Sequence, residues 1–462
     1  MPPQDADSLI TGLGSQQALR LVRSEGFFAE VFNSLSGPTF VTGLALWFGA
    51  DEVTLGLLVA LPFIAQAGQL AGPLLENRLQ SRRRFVVPAF ALGRLLWLVP
   101  VLLLALGVRG GMALHWLGIA ALAMTVIGSA GNNGWTSWMA DVVTPTQRGR
   151  VFGARTAAVT IATMTLVPLG SLWLDKMRES GREPLGHAVL AAVAAVCGCI
   201  AGLTLLRLPD AAPIPVPERD PVSLTRRLLR RRRFRRVVAL FSLWNVSIGM
   251  PAAFWTVYML KHLHMSFFLI GVHASIILGV RVFCTGHWSR LIDTVGSQRV
   301  LVGSSFGAAI IPLLWFLPSP GAIWPIWIEA VISGFFWTGF GQAAFIQPIA
   351  ALASDERSRG LAFYNVLTGS AMFVASVVGG KIVNVSGMDA IHSFYALFGV
   401  TTAIRLFTSM LALRMTEPGV EMHKFLFSFY GSGMLGATGS GAPSSPQAGA
   451  APAQARRRDR NR

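Results

Sequence analysis

About a dozen apolar segments, each long enough to cross a lipid bilayer, recur along this sequence of 462 residues. A spanning helix needs about 20 mostly apolar residues, because the hydrocarbon core is about 30 Å thick and each residue rises about 1.5 Å. Residues 85–107 and 188–206 meet this requirement with at most one charged residue each. Only 13% of all residues are charged, against about 25% in soluble domains. These features predict an all-α polytopic membrane protein.

The apolar segments predict twelve membrane spans, with the loops divided between the two membrane faces. The predicted spans cover residues 27–49, 54–75, 85–108, 113–139, 153–174, 186–207, 237–260, 266–288, 300–317, 322–348, 360–383 and 391–413. Most of the 39 Lys and Arg residues lie in the loops on the same face as the two termini. Because cytoplasmic loops carry an excess of Lys and Arg, we predict an integral protein of the cell (inner) membrane with both termini in the cytoplasm.

The net charge of +17 does not predict a nucleic-acid-binding protein. Such a protein would cluster its basic residues on one folded face, whereas here they are divided among alternate loops. The three cysteines, Cys197, Cys199 and Cys284, lie in apolar segments and lack the spacing of a metal site. We therefore predict no nucleic-acid partner, no metal and no cofactor, and we expect a monomer.

The chain is predicted to have five parts. They are a cytoplasmic N-terminus (1–26), a first six-helix half (27–208), a basic linker (209–236), a second six-helix half (237–416) and a cytoplasmic tail (417–462). The linker contains LTRRLLRRRRFRR, which favours a short basic helix on anionic lipid headgroups, with a regulatory lipid or partner site as the alternative. The tail is rich in Gly, Ala, Ser and Pro, so we expect most of it to be disordered.

The two halves contain related sequences. GNNGWTSWMADVVTPTQRGRVFGAR begins at Gly131, and GQAAFIQPIAALASDERSRGLAFYN begins at Gly341. Trp135 aligns with Phe345, and each copy ends one span, forms a basic turn and begins the next span. Parallel repeats of this kind are a common plan of secondary transporters, so we predict two pseudo-symmetric six-helix bundles.

Roughly residues 20–416 resemble the Major Facilitator Superfamily of secondary transporters, and in particular some poorly characterised bacterial members. The resemblance rests on the six-plus-six repeat, on the Arg–Gly pair of the two repeated turns, and on the loop Asp293-Thr294-Val295-Gly296-Ser297-Gln298-Arg299. This loop is similar to the superfamily pattern G-x-L-x-D-x-x-G-x-R, with Ser289 at the leading Gly position. The matching loop of the first half has Glu76 in place of the Asp and lacks the second Gly.

The resemblance implies a gate at the cytoplasmic face. In the superfamily this loop carboxylate lies at a helix N-terminus near arginines of neighbouring helices, where ion pairs and the helix dipole hold that face closed. The predicted gate residues are Asp293, Gly296, Arg299, Glu76, Arg148, Arg150 and Arg359. The alternative is that these charges only set the topology.

Polar groups inside spans are costly, so each is a candidate for binding cargo or ions. Glu329 is the candidate for proton coupling, with an internal salt bridge as the alternative. The resemblance implies a central cavity lined by spans 1, 4, 7 and 10 with 2, 5, 8 and 11. The substrate-cavity candidates are Asn33, Gln66, Asn132, Asn133, Trp135, Trp138, Asn245, Trp255, His273, Arg281, Trp337, Gln342 and Asn365. Aromatic and amide groups suit a mostly apolar or sugar-like cargo, and Arg94 and Arg405 are expected to be structural.

The leading functional prediction is a secondary active transporter that moves a small solute by alternating access with proton coupling. One alternative is a transporter-like sensor that binds a ligand without flux. A second is a proton-driven exporter of hydrophobic compounds. We do not predict an enzyme, because the halves show no cluster of catalytic residues at a membrane face, and no nucleotide-binding loop is present.

Overall fold

The computed structural model describes residues 15–70, 72–142, 145–210, 227–352, 357–384 and 390–414. These residues form α-helices joined by short turns. The N-terminal residues 1–14, the linker residues 211–226 and the tail 417–462 lie outside the described residues, so the predictions made for them stay predictions.

The helices of the first half are joined by short connections. Two of these connections end in a residue whose side chain caps the next helix. Asp51 Oδ1 accepts a hydrogen bond from Thr54 N (2.9 Å), and the Ser81 hydroxyl accepts one from Arg84 N (3.1 Å). Both bonds satisfy backbone N–H groups that a helix start leaves without partners. The helices are α1 (Ser15–Leu35), α2 (Pro38–Trp47), α3 (Glu52–Ala65), α4 (Gly72–Leu79), α5 (Arg82–Leu95), α6 (Leu98–Ala105), α7 (Gly110–Val142), α8 (Pro145–Glu179) and α9 (Glu183–Thr204).

The second half repeats this pattern of long antiparallel helices. Ser266 caps one of them by accepting from Leu269 N (3.3 Å), and Gly296, with a φ of 93°, forms the tight turn between two others. The helices are α10 (Arg232–Gly249), α11 (Phe254–Lys261), α12 (Phe267–Val295), α13 (Ser297–Leu314), α14 (Trp324–Ala350), α15 (Arg357–Val383) and α16 (Ala390–Leu413).

Ten helical segments in the described part of the chain are long and apolar enough to cross a membrane. They coincide with ten of the twelve predicted spans. The other two predicted spans coincide with α1 followed by α2, and with α14.

The first span differs from its prediction at its start and in its middle. The prediction was one continuous helix from residue 27. In the structure α1 begins at Ser15, and the helix is interrupted before Pro38, which starts α2. Proline favours the first turn of a helix and disfavours helical geometry in the preceding residue. The early part of α1 is missed by hydropathy because it is amphipathic, with Val22 and Glu25 buried and Arg23 exposed. Glu30, near the start of the predicted span, thus lies well inside α1.

A large apolar core joins the two halves at one end of the helices. It contains Phe48 and Leu58 from the first half and Phe254, Phe267 and Phe394 from the second. The arginine-bearing turns lie at the other end of the helices, which we call the Arg-rich end. The end that contains this core is called the opposite end. The opposite end is therefore closed by side chains of both halves.

Toward the Arg-rich end, two smaller apolar clusters each belong to one half. Val86, Trp138 and Met139 lie in the cluster of the first half. Leu228 and Phe234 lie in the cluster of the second half, so the end of the predicted linker packs onto that half.

Candidate functional site

A cavity of about 480 Å³ lies within the first half, which we call the first-half cavity. Side chains from α1, the end of α3 with its following turn, α5, α7 and α8 line it. Its polar lining residues are Glu25, Asn33, Ser36, Gln66, Gln69, Arg94, Thr125, Ser129, Asn132, Trp135 and Arg155. Glu25, Arg94 and Arg155 each lie about ten to twelve residues from the Arg-rich start of their helix, which is about 15–18 Å.

An ion pair and an aromatic ring form one wall of this cavity. Arg155 Nε lies 3.2 Å from Glu25 Oε2, and the Glu25 side chain is only 3% exposed. The Arg155 guanidinium lies over the Trp135 ring, 4.5 Å from its centroid. The ring holds a cation by its electron-rich face, so Trp135 and Glu25 together fix the position of Arg155.

Arg94 supplies a second positive charge to the same cavity. Its Nη1 donates to the carbonyl oxygen of Gly198 (2.8 Å), and its guanidinium lies over the rings of Phe90 (4.6 Å) and Phe32 (5.7 Å). A carbonyl is neutral, so this hydrogen bond does not neutralise the guanidinium. The prediction of a structural role for Arg94 omitted that the side chain also lines the cavity.

Glu30 lies beside the cavity and accepts hydrogen bonds from three neighbouring side chains, one of which, Asn33, lines the cavity. Its Oε1 accepts from the hydroxyls of Thr163 (2.6 Å) and Ser34 (3.2 Å), and its Oε2 accepts from Asn33 Nδ2 (3.4 Å). These bonds join α1 to α8 within the first half. Glu30 therefore connects two helices of the first half and does not cap a helix start.

A second cavity, of about 820 Å³, lies between α12 and α14 of the second half. Ser289 Oγ donates to Gln342 Oε1 (3.2 Å), and Gln342 Nε2 donates to the Thr285 carbonyl (3.2 Å), so the amide bridges the two helices. Arg281 and Asp293 supply one charge of each sign to the lining.

The two cavities occupy equivalent positions of the sequence repeat. Gly128, Asn132 and Trp135 line the first, and the residues 210 positions later, Thr338, Gln342 and Phe345, line the second. The repeat recognised in the sequence is thus expressed as a pair of related cavities that differ in charge.

The coupling candidate Glu329 is paired with a histidine. Its Oε2 lies 2.7 Å from His273 Nε2, and the two residues are 3% and 6% exposed. Arg405 lies close enough to interact with the Glu329 charge, donates to the Ala308 carbonyl (3.0 Å) and lies over the Trp337 ring (5.2 Å). His273, expected to line a substrate cavity, instead belongs to this buried charged cluster, because α12 and α14 pack side by side.

The predicted gate residues fall into separate groups. Glu76 pairs with Arg82 within the first half (3.8 Å), and burial raises the pKa of the Glu76 carboxyl above its usual range despite the Arg82 charge. Asp293 lines the second cavity and has no ion pair with another side chain of the described residues. Arg299 is half-buried in the first turn of α13. The side chains of Arg148, Arg150 and Arg359 lie outside the described part of the structure.

Several predicted cargo residues make hydrogen bonds within the protein. Trp138 is fully buried and its Nε1 donates to the Pro209 carbonyl (2.9 Å), which anchors the start of the linker. Asn245 Nδ2 donates to the carbonyl of Phe241, one turn earlier in its own helix.

Two further aromatic candidates pack against other rings. Trp255 stacks on Phe398 (4.7 Å between centroids), and Trp337 packs edge-on against Phe340 (5.6 Å). Asn365 is half-buried in α15, and the side chain of Asn133 lies outside the described side chains. Asn33, Gln66, Asn132, Trp135, Arg281 and Gln342 are the candidates that do line the two cavities.

Contacts between the halves hold the opposite end together. The Asp175 carboxylate, on α8, accepts from the backbone N–H groups of Phe267 (2.9 Å) and Phe268 (2.7 Å) and thus caps α12 across the two halves. Lys261 Nζ lies 3.0 Å from Glu52 Oε1, also across the halves. A carboxylate at a helix N-terminus is favoured by both the free N–H groups and the helix dipole.

Sequence reasoning missed Glu25, Gln69 and Arg155 as cavity residues. Glu25 lies in the predicted N-terminus, and Arg155 lies at the start of a predicted span beside a basic turn, so neither was a cavity candidate. The available signal was an unexplained glycine: a Cβ at Gly26 would lie 2.8 Å from Arg155 Cγ, so only glycine leaves room for this side chain.

The fold defines a class of protein. Two halves of membrane-length helices, closed at one end and each containing a polar cavity, are the arrangement of a secondary transporter with parallel repeats. The profile of the Major Facilitator Superfamily matches residues 26–355, and the chain belongs to this superfamily. No curated protein matches the sequence.

Solved structures of transporters share the fold. The nucleoside transporter NupG aligns with a TM-score of 0.66 at 14% identity, over 86% of this chain and 98% of that chain. The peptide transporter POT in complex with sulfate aligns with a TM-score of 0.67 at 14% identity, over 90% and 98%. A POT family transporter in complex with 5-aminolevulinic acid aligns with a TM-score of 0.65 at 13% identity, over 90% and 100%. At these identities the similarity concerns the fold alone.

Proposed function

We propose that this protein is a proton-coupled secondary transporter that moves a small solute by alternating access. The observation that carries the proposal is the one-sided closure of the two halves. A shared apolar core and bonds such as the Asp175 cap join them at the opposite end, whereas each half keeps a polar cavity toward the Arg-rich end. Alternating access requires that the site open to only one side of the membrane at a time, and this one-sided closure fits such a stage.

The excess of basic residues supports an orientation in the cell membrane. Because cytoplasmic loops are enriched in Lys and Arg, the Arg-rich end faces the cytoplasm and the conformation is open inward. Arg230, Arg232 and Arg233 are exposed while Leu228 and Phe234 are buried against the second half. This arrangement places positive charge where anionic lipid headgroups lie.

The gate residues have a role in the opposite conformation. Asp293 is exposed and has no ion pair with another described side chain, which suits a gate that is open. When the cytoplasmic ends approach each other, Asp293 and the turn at Gly296 meet arginines of the repeated turns, and Arg299, Arg148, Arg150 and Arg359 supply the counter-charges. Glu76 and its partner Arg82 form the corresponding element of the first half.

Proton coupling is assigned to His273 and Glu329. Neutral His273, ionised Glu329 and Arg405 together carry no net charge, and binding one proton makes the cluster positive. A buried charge without a partner is costly, so each protonation state favours a different packing of the helices that hold it. His273 lies six residues and Glu329 five residues from the opposite-end starts of their helices, about 8–9 Å. Opening that end therefore exposes the pair to the outside.

Uptake into liposomes that contain the purified protein tests this proposal. The probe is a defined mixture of sugars, amino acids, organic acids, nucleosides and dipeptides, measured inside the vesicles by mass spectrometry, with and without an inward proton gradient. We expect at least one solute to accumulate above empty vesicles and the gradient to increase its accumulation. Binding of a solute without any uptake would overturn transport in favour of a sensor. Uptake that does not depend on the proton gradient would exclude proton coupling.

A further inference from the structure

The first-half cavity contains more positive charge than its own residues neutralise. Its charged lining residues are Glu25, Arg94 and Arg155. Among the described lining residues one carboxylate faces two guanidinium groups, an excess of one positive charge. The Glu30 carboxylate beside the cavity accepts hydrogen bonds from Thr163, Ser34 and Asn33. Ionised groups away from water are costly unless they are paired, and an arginine keeps its charge at every physiological pH.

Two glycines of neighbouring helices leave the space that the side chains of Arg94 and Arg155 occupy. A Cβ at Gly26 would lie 2.8 Å from Arg155 Cγ, and a Cβ at Gly198 would lie 2.8 Å from Arg94 Cδ. Each guanidinium also lies over an aromatic ring, Trp135 or Phe90. The two side chains therefore cross neighbouring helices along paths that only glycine leaves open.

Neutral donors surround the two arginines. The indole Nε1 of Trp135 is buried and has no hydrogen-bond partner among the described residues, although Trp135 lines the cavity. The side-chain amides of Gln66 and Asn132 line the same space. A buried N–H without an acceptor costs free energy, and an oxygen atom of a bound ligand would supply the acceptor.

We propose that the first-half cavity binds the oxyanion of an acidic small solute, a carboxylate or a phosphate, between Arg94 and Arg155. This inference rests on the proposed function, of which it names the cargo class. Guanidinium groups match the planar, two-oxygen geometry of carboxylate and the oxygens of phosphate. The volume of about 480 Å³ suits a small organic anion. The second cavity, with Arg281 and Asp293, has no net charge among its described lining residues.

The assignment revises the cargo suggested by the sequence. Aromatic and amide groups favoured an apolar or sugar-like molecule, but the charged residues that complete this cavity were not among the predicted ones. An uncharged cargo would leave the excess charge of the cavity unpaired when water is displaced, whereas an anion neutralises it.

Thermal unfolding of the detergent-purified protein tests the inference. The probes are acetate, succinate, inorganic phosphate and glycerol 3-phosphate, each compared with acetamide, succinamide or glycerol at constant ionic strength. A ligand of the folded state raises its stability by RT ln(1 + [L]/Kd). We expect at least one anion, and none of the neutral compounds, to raise the Tm. The carboxylate and phosphate series distinguish the two forms of oxyanion. Equal shifts with the neutral compounds, or no shift with any anion, would overturn the inference.

Three variants locate the site. Arg155→Gln is expected to weaken anion binding about tenfold or more, since hydrogen bonds to charged groups are worth about 1.5–3 kcal/mol. Trp135→Phe keeps an aromatic ring at this position and removes the indole N–H together with part of the ring system, so it tests the site even if Arg155→Gln does not fold; a several-fold loss is expected. Arg109→Gln is the matched control, because Arg109 also lies over a tryptophan, Trp47 (4.4 Å), but away from the cavity.

The outcomes separate this inference from the transport proposal. Anion binding that Trp135→Phe and Arg155→Gln weaken but Arg109→Gln does not would support the site even if no proton-driven uptake is found. Equal weakening by Arg109→Gln, or anion binding unchanged in Trp135→Phe and Arg155→Gln, would overturn the site while leaving transport of another cargo intact.

Discussion

His273 Nε2 and Glu329 Oε2 lie 2.7 Å apart in the second half, although 56 residues separate them in the sequence. Each residue is nearly inaccessible to solvent, and Arg405 is the nearby cation. The pair lies beneath the end at which both halves meet. A proton bound there would therefore be released or taken up only when that end changes its packing.

Replacing Glu329 tests the coupling assignment. In Glu329→Gln we expect proton-driven accumulation of cargo to fall to the level without a gradient, while exchange of labelled for unlabelled cargo continues, because exchange needs no net proton movement. The measurement is flux in liposomes as a function of external pH. The matched control is Glu183→Gln, which removes a carboxylate that lies 3.8 Å from another histidine, His187. Gradient-driven accumulation that persists in Glu329→Gln would exclude Glu329 as the proton carrier.

Replacing Asp175 tests the closure of the opposite end. Asp175→Asn keeps the shape of the side chain but removes the charge that accepts from two backbone N–H groups of the other half. We expect a Ser171→Cys reporter, at a fully buried position on α8, to react about fivefold faster with an impermeant maleimide. Loss of a helix cap costs about 1 kcal/mol, which corresponds to about that factor.

The Asp175 experiment is done in a chain whose three natural cysteines are replaced by serine. Asp51→Asn is the control, because Asp51 caps a helix of its own half through Thr54 N. If Asp51→Asn accelerates labelling as much as Asp175→Asn, the effect is general loosening and not opening of the closed end.

Replacing Gly198 tests whether the Arg94 side chain is confined by the helix that it crosses. In Gly198→Ala the new methyl group would lie 2.8–3.0 Å from three carbons of the Arg94 side chain. The expected loss is about 1–3 kcal/mol of unfolding free energy, the usual cost of overpacking, and it outweighs the helix propensity gained on replacing glycine. Gly153→Ala is the control: nothing lies within 4 Å of its Cβ position, so stability should stay equal or rise by up to about 1 kcal/mol. A Gly198→Ala protein as stable as Gly153→Ala would show that Arg94 is not confined.

Replacing Glu76 tests the effect of its burial on stability. Burial raises the pKa of Glu76, with Arg82 opposing the shift. A raised pKa means that the folded state favours the protonated form, so the contribution of Glu76 to stability is greatest in acid and is lost as the pH rises through the folded pKa. We expect the Tm of Glu76→Gln to exceed that of the natural protein near neutral pH and the difference to shrink below the ordinary pKa of Glu. A lower Tm of Glu76→Gln at neutral pH would show that the ion pair with Arg82 outweighs the burial.

The membrane class, most of the spans, the repeat and the superfamily were all predictable from the sequence. Each depends on features that are local or periodic: apolar runs of bilayer length, and the correspondence of the turns after Gly131 and Gly341. The loop at Asp293 and Gly296 was recognisable for the same reason, since a tight turn with φ of 93° needs glycine wherever the helices go.

The composition of the cavities was decided by tertiary structure. Glu25 and Arg155, 130 residues apart, form an ion pair because α1 packs against α8. Arg94 joins them from α5, and its room exists because residue 198 is glycine. Hydropathy reports how far a segment can reach across a membrane but not which face of its helix meets a neighbour. For that reason the sequence alone determined that this chain crosses the membrane in two related halves, whereas only the packing of those helices decided which buried charges pair and which remain for a ligand.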